Sequence, residues 1–277
     1  MKHLLCFGFG FSAKTLAHML DLNEWKITGT SRSEESAKAI REQGYEGVVF
    51  DNLKTIPATV THVLSSIPPG DEGDPVLAKF NSEISIRAQS LKWVGYLSTT
   101  GVYGDRGGDW VDEETALQPN TKRGANRVAA EGAWAAIPNL NPHIFRLAGI
   151  YGPGRNALQT LKSGNAQRVI KLGQVFSRIH VEDIAGVLLD SIAKPNPGRV
   201  YNVADDEPCP PQDVIAYAAE LLGVAPPPEI KFEDAKLSAM ARSFYADSKR
   251  VSNARIKNEL GYVLKYPNYR VGLKALL

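Results

Sequence analysis

The sequence lacks the features of disulfide-stapled, membrane-spanning and metal-binding proteins. Its 277 residues include 2 cysteines, Cys6 in an apolar run and Cys209 beside prolines, and neither has metal-ligand spacing or belongs to a disulfide framework. No apolar stretch approaches the length that spans a bilayer, and no basic segment followed by a long apolar one opens the chain. We therefore expect a cytoplasmic protein without a metal site or a membrane partner.

The chain also has little net charge and no repetitive segment. Its 32 Lys and Arg residues against 30 Asp and Glu residues give a formal charge of +2, and no basic stripe with interleaved aromatic residues is present. This pattern argues against nucleic acid as a partner and favours a small-molecule substrate. A chain of this length forms either one α/β domain with a large core or a nucleotide domain plus a small lobe.

The start of the chain has the pattern of a strand, a glycine turn and a helix. The apolar run ending at Phe7 is followed by Gly8-Phe9-Gly10-Phe11-Ser12-Ala13 and then by apolar residues at helical spacing. Gly8 suits a tight turn, and Gly10 lets the backbone approach a pyrophosphate that faces the helix amides. A plain strand-to-helix turn remains the alternative. The candidate cofactor-binding residues here are Gly8, Phe9, Gly10, Phe11 and Ser12.

The end of the second predicted strand indicates which dinucleotide binds. Ser31-Arg32-Ser33 lies about twenty residues beyond the turn, where this fold distinguishes NADP from NAD. No carboxylate is present to hold a ribose 2′-hydroxyl, whereas an arginine binds a 2′-phosphate through charge-assisted hydrogen bonds. We predict NADP, with NAD as the alternative, and assign Ser31 and Arg32 to the cofactor. The other interpretation of Arg32 is a solvated loop residue before the Ser33 helix cap.

Three further predicted strands end in polar residues, at the sheet edge where open α/β folds place ligands. Asp51 follows the third strand and either meets the adenine edge or caps the next turn. Ser65, Ser66 and Ile67 follow the fourth strand and are candidate cofactor-binding residues. The fifth strand leads into residues 98–104, whose hydroxyls either bind a substrate oxygen or satisfy their own backbone.

The alternation of strands and helices up to residue 155 predicts βαβ crossovers and a parallel sheet. We predict an α/β fold, a Rossmann-type doubly wound parallel sheet with a small C-terminal substrate-binding lobe. The NAD(P)-binding domain is expected to span 1–155 and to be completed by about 178–204. The lobe is expected to contain 156–177 and 205–277.

Several motifs together resemble the extended short-chain dehydrogenase/reductase superfamily, in the branch of the NAD-dependent epimerase/dehydratases. The resemblance covers nearly the whole chain. It implies a Rossmann fold, an NAD(P) cofactor, an alcohol or carbonyl substrate such as a nucleotide-linked sugar, and a homodimer as one possible assembly. The motifs are Gly8-Phe9-Gly10-Phe11-Ser12-Ala13, Leu97-Ser98-Thr99-Thr100-Gly101-Val102-Tyr103-Gly104, Arg146-Leu147-Ala148-Gly149-Ile150-Tyr151-Gly152-Pro153-Gly154-Arg155, His180-Val181-Glu182-Asp183-Ile184-Ala185 and Tyr201-Asn202-Val203.

The chain departs from that family at its catalytic pair. The family's Tyr-x-x-x-Lys pair falls on Arg123 and Arg127, while Thr99 matches the Ser or Thr that binds the reacting oxygen. Arginine stays protonated in proteins and cannot act as the general acid/base, although Arg127 can still hold ribose hydroxyls. The chain therefore resembles atypical members that lack the catalytic tyrosine. Our catalytic candidates are Thr99, Tyr103, Arg123 and Arg127.

Two functions follow from this pattern. The first is an NAD(P)-dependent oxidoreductase or epimerase with a relocated acid/base, for which Tyr103 and Tyr151 are candidates because a nearby arginine favours a phenolate. Arg155 and Arg178 are candidates for holding an anionic substrate. The second is a catalytically degenerate NADP-binding sensor or scaffold. In that second case Tyr103 is a packed ring with a satisfied hydroxyl.

Overall fold

The structure is a computed structural model, and it describes the backbone of residues 1–277 and every side chain except that of Met240. Within the described residues, no helix is both long and apolar enough to cross a membrane. The strands are β1 (Lys2–Phe7), β2 (Trp25–Ser31), β3 (Glu46–Val49), β4 (His62–Ser65), β5 (Trp93–Thr99), β6 (Trp110–Val111), β7 (His143–Leu147), β8 (Gly149–Tyr151), β9 (Arg168–Ile170), β10 (Arg178–His180), β11 (Val200–Val203), β12 (Glu229–Lys231) and β13 (Arg250–Val251). The α-helices are α1 (Phe11–Met19), α2 (Glu34–Arg41), α3 (Pro75–Arg87), α4 (Lys122–Ala135), α5 (Ala157–Lys162), α6 (Val181–Ala193), α7 (Pro211–Leu221), α8 (Ala239–Phe244) and α9 (Tyr269–Lys274).

One seven-stranded sheet organises the fold, with the strand order β11-β7-β5-β4-β1-β2-β3. β1 pairs in parallel with both β2 and β4, and the pairs β2–β3 and β4–β5 are parallel as well. The strand order therefore reverses direction at β1, which creates a topological switch point at its carboxyl end. The predicted Rossmann-type α/β fold is confirmed.

The chain divides into two compact units. Unit 1 comprises Met1–Thr99, Ala125–Arg146 and Ile184–Tyr201, and unit 2 comprises Thr100–Gly124, Leu147–Asp183 and Asn202–Leu277. Unit 2 contains three short parallel strand pairs, β6–β13, β8–β10 and β9–β12. The expected boundaries of the cofactor domain and the substrate lobe stay a prediction.

The core of unit 1 packs against both faces of the central strands. Residues 4–7 of β1 are fully buried, as expected for a parallel strand covered by helices on both sides. Phe7 stacks on Phe80 of α3 with ring centroids 5.4 Å apart, and Tyr96 of β5 packs on Trp134 of α4 at 6.0 Å. The carboxyl ends of β1 and β5 therefore project from a close-packed base.

Local contacts set the bounds of two elements. α3 begins at Pro75, because Asp74 Oδ1 accepts from the N–H groups of Val76 and Leu77 and Pro75 occupies the first turn. The apolar segment from His143 to Tyr151 is divided into β7 and β8. Its N–H groups change partners at that point, since Ala148 donates to Val203 O whereas Gly149 donates to Ser177 O.

Candidate functional site

The turn after β1 leaves its backbone open to a ligand. Gly8 has a φ of +84°, in the left-handed region that glycine adopts without strain. Gly10 is the N-cap of α1, its backbone is extended, and no side chain caps the helix. A Cβ atom at Gly10 would meet nothing within 4 Å. The unpaired N–H groups of the first turn of α1 are therefore accessible to an anion.

β2 holds this turn in place. The N–H of Gly8 donates to Thr30 Oγ1 at 2.9 Å, and that of Phe9 donates to Thr30 O at 3.0 Å. The Phe9 ring covers Gly29, where an added Cβ would lie 2.5 Å from the ring. Phe11 is half-buried, and the side chain of Ser12 is buried. Ser12 can therefore contact a ligand through its backbone N–H rather than through its hydroxyl.

β4 brings a second predicted segment to the glycine turn. Ser66 Oγ donates to Gly8 O at 2.8 Å, and a Cβ at Gly8 would lie 2.8 Å from that oxygen and 3.1 Å from Ile67 Cγ1. The Ser65 hydroxyl is fully buried and has no hydrogen-bond partner among the described residues. Ser66 and Ile67 thus adjoin Gly8, and Ser65 pairs with Phe7. The role of these three residues in cofactor binding stays a prediction.

Arg32, at the end of β2, is exposed and available. It makes no hydrogen bond or ion pair within the part of the chain that the structure describes. Ser31 donates to Ser33 O at 2.9 Å, and the Ser33 side chain caps α2 by accepting from Ser36 N. The interpretation of Ser33 as a helix cap is confirmed. The guanidinium of Arg32 makes no hydrogen bond to the described residues.

Asp51 lies in a short 3-10 helix, Phe50–Asn52, and its side chain is exposed. Lys79 of α3 donates to the carbonyl oxygens of Phe50 and Asp51 at 2.8 and 2.9 Å, which fixes the backbone of this segment. The carboxylate itself has no partner among the described residues. Its contact with an adenine edge stays a prediction.

A buried polar triad lies beneath the end of β5. Ser98 Oγ donates to Glu131 Oε1 at 2.5 Å, and Arg146 Nη2 donates to Glu131 Oε2 at 2.8 Å. All three residues are at most 5% exposed. Thr99, the next residue, is half-buried and ends the strand. The Ser98 hydroxyl is therefore hydrogen-bonded within the triad. This contact also positions the strand backbone next to Thr99.

Arg127, at the family's lysine position, binds β5. Its Nη1 donates to Leu97 O at 2.5 Å and to Tyr96 OH at 3.1 Å. The guanidinium also lies 5.6 Å from the Tyr96 ring centroid. Burial nevertheless raises the pKa of Tyr96 to about 12, although Arg127 opposes that shift. The sequence did not predict the contact with Tyr96, because Tyr96 lies within the apolar run of the fifth predicted strand.

Two catalytic candidates lie in unit 2: Arg123, at the family's tyrosine position, and Tyr103, the candidate replacement for that tyrosine. Arg123 is exposed, donates to Ser243 Oγ at 2.7 Å and covers the Phe244 ring at 5.2 Å. Tyr103 is fully buried, and its hydroxyl donates to Asn202 Oδ1 at 2.7 Å. This is the packed ring with a satisfied hydroxyl that the sequence left open. An acid/base role for Tyr103 stays a prediction that its burial disfavours.

Tyr151 is buried as well. Its hydroxyl donates weakly to Asn268 O at 3.4 Å, and burial raises the pKa of Tyr151 far above its usual range. Its neighbours include the His180 ring, whose centroid lies 5.1 Å from that of Tyr151. Burial lowers the pKa of His180 to about 4, so this ring is neutral at physiological pH. Tyr151 is therefore not favoured as a phenolate.

No family model matches the chain, but proteins that match it over almost its whole length do exist. A functionally unknown conserved protein from Silicibacter pomeroyi is 56% identical, over 100% of this chain and 98% of that one, with a TM-score of 0.95. A provisionally assigned NAD-dependent epimerase/dehydratase from Methylobacillus flagellatus is 27% identical, over 99% and 97% of the two chains, with a TM-score of 0.69. In fold and in sequence, the chain is similar to NAD-dependent epimerase/dehydratases.

This similarity agrees with the resemblance drawn from the sequence motifs. Protein YeeZ of Escherichia coli K12 is 27% identical over 291 residues, which cover 97% of each chain. The human epimerase family protein SDR39U1, in a structure with NADPH, is 18% identical over 100% of this chain and 98% of its own, with a TM-score of 0.74. The latter likeness concerns the fold alone. The chain carries arginine at both positions that correspond to the Tyr-Lys pair of the epimerase/dehydratases.

Proposed function

We propose that this protein is an NADP-dependent oxidoreductase or epimerase acting on an alcohol or carbonyl. The observation that carries the proposal is the open glycine turn at the N-terminus of α1, at the switch point of the sheet. Gly10 leaves room for a pyrophosphate there, and the amides of the first helical turn have no competing side-chain cap. The arrangement suits a dinucleotide better than a plain connecting turn.

The residues present fit an NADP molecule in several places. The backbone of Gly10, Phe11 and Ser12 would hold the pyrophosphate, and Arg32 would bind the 2′-phosphate. Ser65 lies at the same edge of the sheet, but its hydroxyl is fully buried. When bound, the nicotinamide supplies or accepts a hydride. The SDR39U1 structure with NADPH shows this fold holding that cofactor.

Arg32 carries the proposed preference for NADP. We expect Arg32→Ala to weaken NADPH binding by roughly 10- to 100-fold, because a charge-assisted hydrogen bond contributes about 1.5 to 3 kcal/mol. NADH binding should change by less than about 3-fold, since NADH has no 2′-phosphate. Titration of both cofactors by nicotinamide fluorescence measures the two affinities.

Lys38, an exposed cation on α2, supplies a matched control for that titration. Lys38→Ala removes one positive charge from the same unit and should leave the NADPH affinity within about 2-fold of wild type. Equal losses of NADPH and NADH affinity in the Arg32 variant would contradict the proposed NADP preference.

The catalytic groups of the proposal are tested by turnover. Thr99 would donate to the reacting oxygen, and Arg127, held by Leu97 O, would contact the ribose. A nucleotide-linked sugar is the finer substrate proposal, and it rests on fold likeness to enzymes such as the dTDP-glucose 4,6-dehydratase of Bacillus anthracis. Purified protein saturated with NADPH is mixed with nucleotide sugars and simple carbonyls, and cofactor oxidation is followed.

A second candidate is an NADP-binding sensor or scaffold without turnover. The burial of Tyr103 and Tyr151 favours it, because neither phenol is poised to exchange a proton. Tight NADPH binding followed by oxidation with a panel member supports the oxidoreductase. Binding without turnover of any panel member favours the sensor, and binding of neither cofactor contradicts both candidates.

A further inference from the structure

Unit 2 contains a pocket of about 300 Å³ that the proposed cofactor site does not use. Aliphatic side chains of α5, α7 and α9 form part of its wall, and three tyrosine rings form another part. This volume lies at the lower end of the range for ligand pockets, so a small ligand fits. The rings are those of Tyr151, Tyr245 and Tyr269, and the other polar residues of the wall are Thr160, Gln167 and Arg178.

Arg178 presents a prepared pair of donors at this pocket. Its Nη1 donates to Phe176 O at 3.1 Å, to Cys209 O at 3.4 Å and to Cys209 Sγ at 3.1 Å. These contacts orient the guanidinium before any ligand arrives. Nε and Nη2 have no acceptor within the described part of the chain, and together they form the fork that matches the two oxygens of one carboxylate.

The described residues of the pocket wall carry one formal charge, which is positive. Among the described residues that line the pocket, Arg178 is the only one with a formal charge, and none carries a carboxylate. Asp205, which interacts electrostatically with Arg178, is fully buried, and burial raises the pKa of its carboxyl to about 8. Asp205 is therefore mostly protonated at neutral pH and does not neutralise the guanidinium. A single guanidinium matches the charge of one carboxylate better than the larger charge of a diphosphate.

Gln167 adds a complementary acceptor. Its Nε2 donates to Lys236 O at 3.4 Å, and this contact assigns the other atom of the amide as Oε1. Oε1 is buried and has no donor among the described residues. A buried acceptor without a partner is costly, and a hydroxyl or N–H of a ligand would satisfy it.

We propose that this pocket binds a small aromatic carboxylate that also carries a hydrogen-bond donor. The carboxylate would pair with Nε and Nη2 of Arg178, the ring would pack among the tyrosines, and the donor would reach Gln167. The proposal rests on unit 2 alone and goes beyond the proposed function, because it holds equally for an enzyme and for a sensor. It also departs from a nucleotide sugar as the ligand of this pocket.

The first test compares matched probes by isothermal titration calorimetry with the full-length protein. The probe para-hydroxyphenylpropanoate should bind, and its neutral amide should bind roughly 10- to 100-fold more weakly, since it loses the charge-assisted pair. The analogue with a saturated ring should also bind more weakly. UDP-glucose should neither bind at this pocket nor displace the probe. Equal affinity for carboxylate and amide, or displacement by UDP-glucose, overturns the proposal.

The second test uses variants of the pocket wall. Arg178→Lys keeps the charge but removes the fork, and it should weaken the probe about 10-fold or more. Ile215→Trp adds bulk to the pocket wall from α7 while Arg178 itself is unchanged, so it keeps the test valid if the arginine variant folds poorly. Lys162→Gln removes an exposed cation of α5 as the control and should change nothing. Unchanged probe affinity in Ile215→Trp contradicts the pocket assignment, whereas NADPH affinity, measured separately, reports on the cofactor proposal.

Discussion

Glu131→Ala is expected to lower the free energy of unfolding by about 3 to 5 kcal/mol, because it leaves Arg146 buried without its carboxylate partner. Glu131 also accepts from Ser98 at 2.5 Å, so the change removes an acceptor from two buried donors at once. All three side chains are almost completely shielded from water, which therefore cannot replace the lost contacts. Urea denaturation followed by circular dichroism measures the change.

Two comparisons separate the buried charge from simple truncation. The double variant Glu131→Met with Arg146→Met removes both charges and should cost much less than Glu131→Ala alone. Glu42→Ala breaks the exposed pair with Lys38, and we expect a loss of only about 0.3 to 0.5 kcal/mol. A loss for Glu131→Ala as small as that for Glu42→Ala would show that Arg146 gains little from this contact.

Gly10→Val is expected to reduce the affinity for NADPH by about 100-fold or more, which corresponds to about 2.8 kcal/mol, while the protein stays folded. Gly10 has φ −86° and ψ −163°, an extended conformation that valine adopts readily. An added Cβ meets no protein atom within 4 Å, so the side chain would occupy only the space assigned to the pyrophosphate. Fluorescence titration gives the affinity, and thermal unfolding without cofactor gives the stability.

Gly132→Val is the matched control, because a Cβ at this exposed glycine of α4 also meets nothing within 4 Å. It should leave NADPH binding unchanged. Gly8→Val, in contrast, should destabilise the protein even without cofactor, since Gly8 has a positive φ and its Cβ would lie 2.8 Å from Ser66 Oγ. Full NADPH affinity in a folded Gly10→Val protein would contradict the proposed pyrophosphate position.

The glycine turn shows how far sequence reasoning reached. Gly8 and Gly10 were expected from their spacing to serve different purposes, and the structure shows a left-handed turn at one and open space at the other. Ser66 and Ile67 were placed at the same edge because parallel strands end together, and they adjoin Gly8. These predictions succeeded because local backbone geometry and strand polarity follow directly from residue type and order.

The roles of individual side chains were harder to predict. The inability of Arg123 and Arg127 to replace the family's acid/base pair stays a prediction, and their partners, Ser243 and Tyr96, did not follow from spacing. Tyr103 lies next to a hydroxyl-rich motif, yet its own hydroxyl donates to Asn202, which is 99 residues away in the chain. Burial of a phenol depends on distant segments, and a single sequence carries no direct record of such contacts.

The sequence by itself determined the class of fold, the glycine turn and the absence of the Tyr-Lys pair, because alternation, glycine position and residue identity act locally or through strand order. Only the tertiary structure decided that Tyr103 and Tyr151 are buried, that Glu131 and Arg146 form an internal ion pair, and that Arg178 borders a small pocket. Each of these facts depends on long-range packing. Packing sets solvent exposure and hydrogen-bond partners, and through them the chemistry available to a side chain.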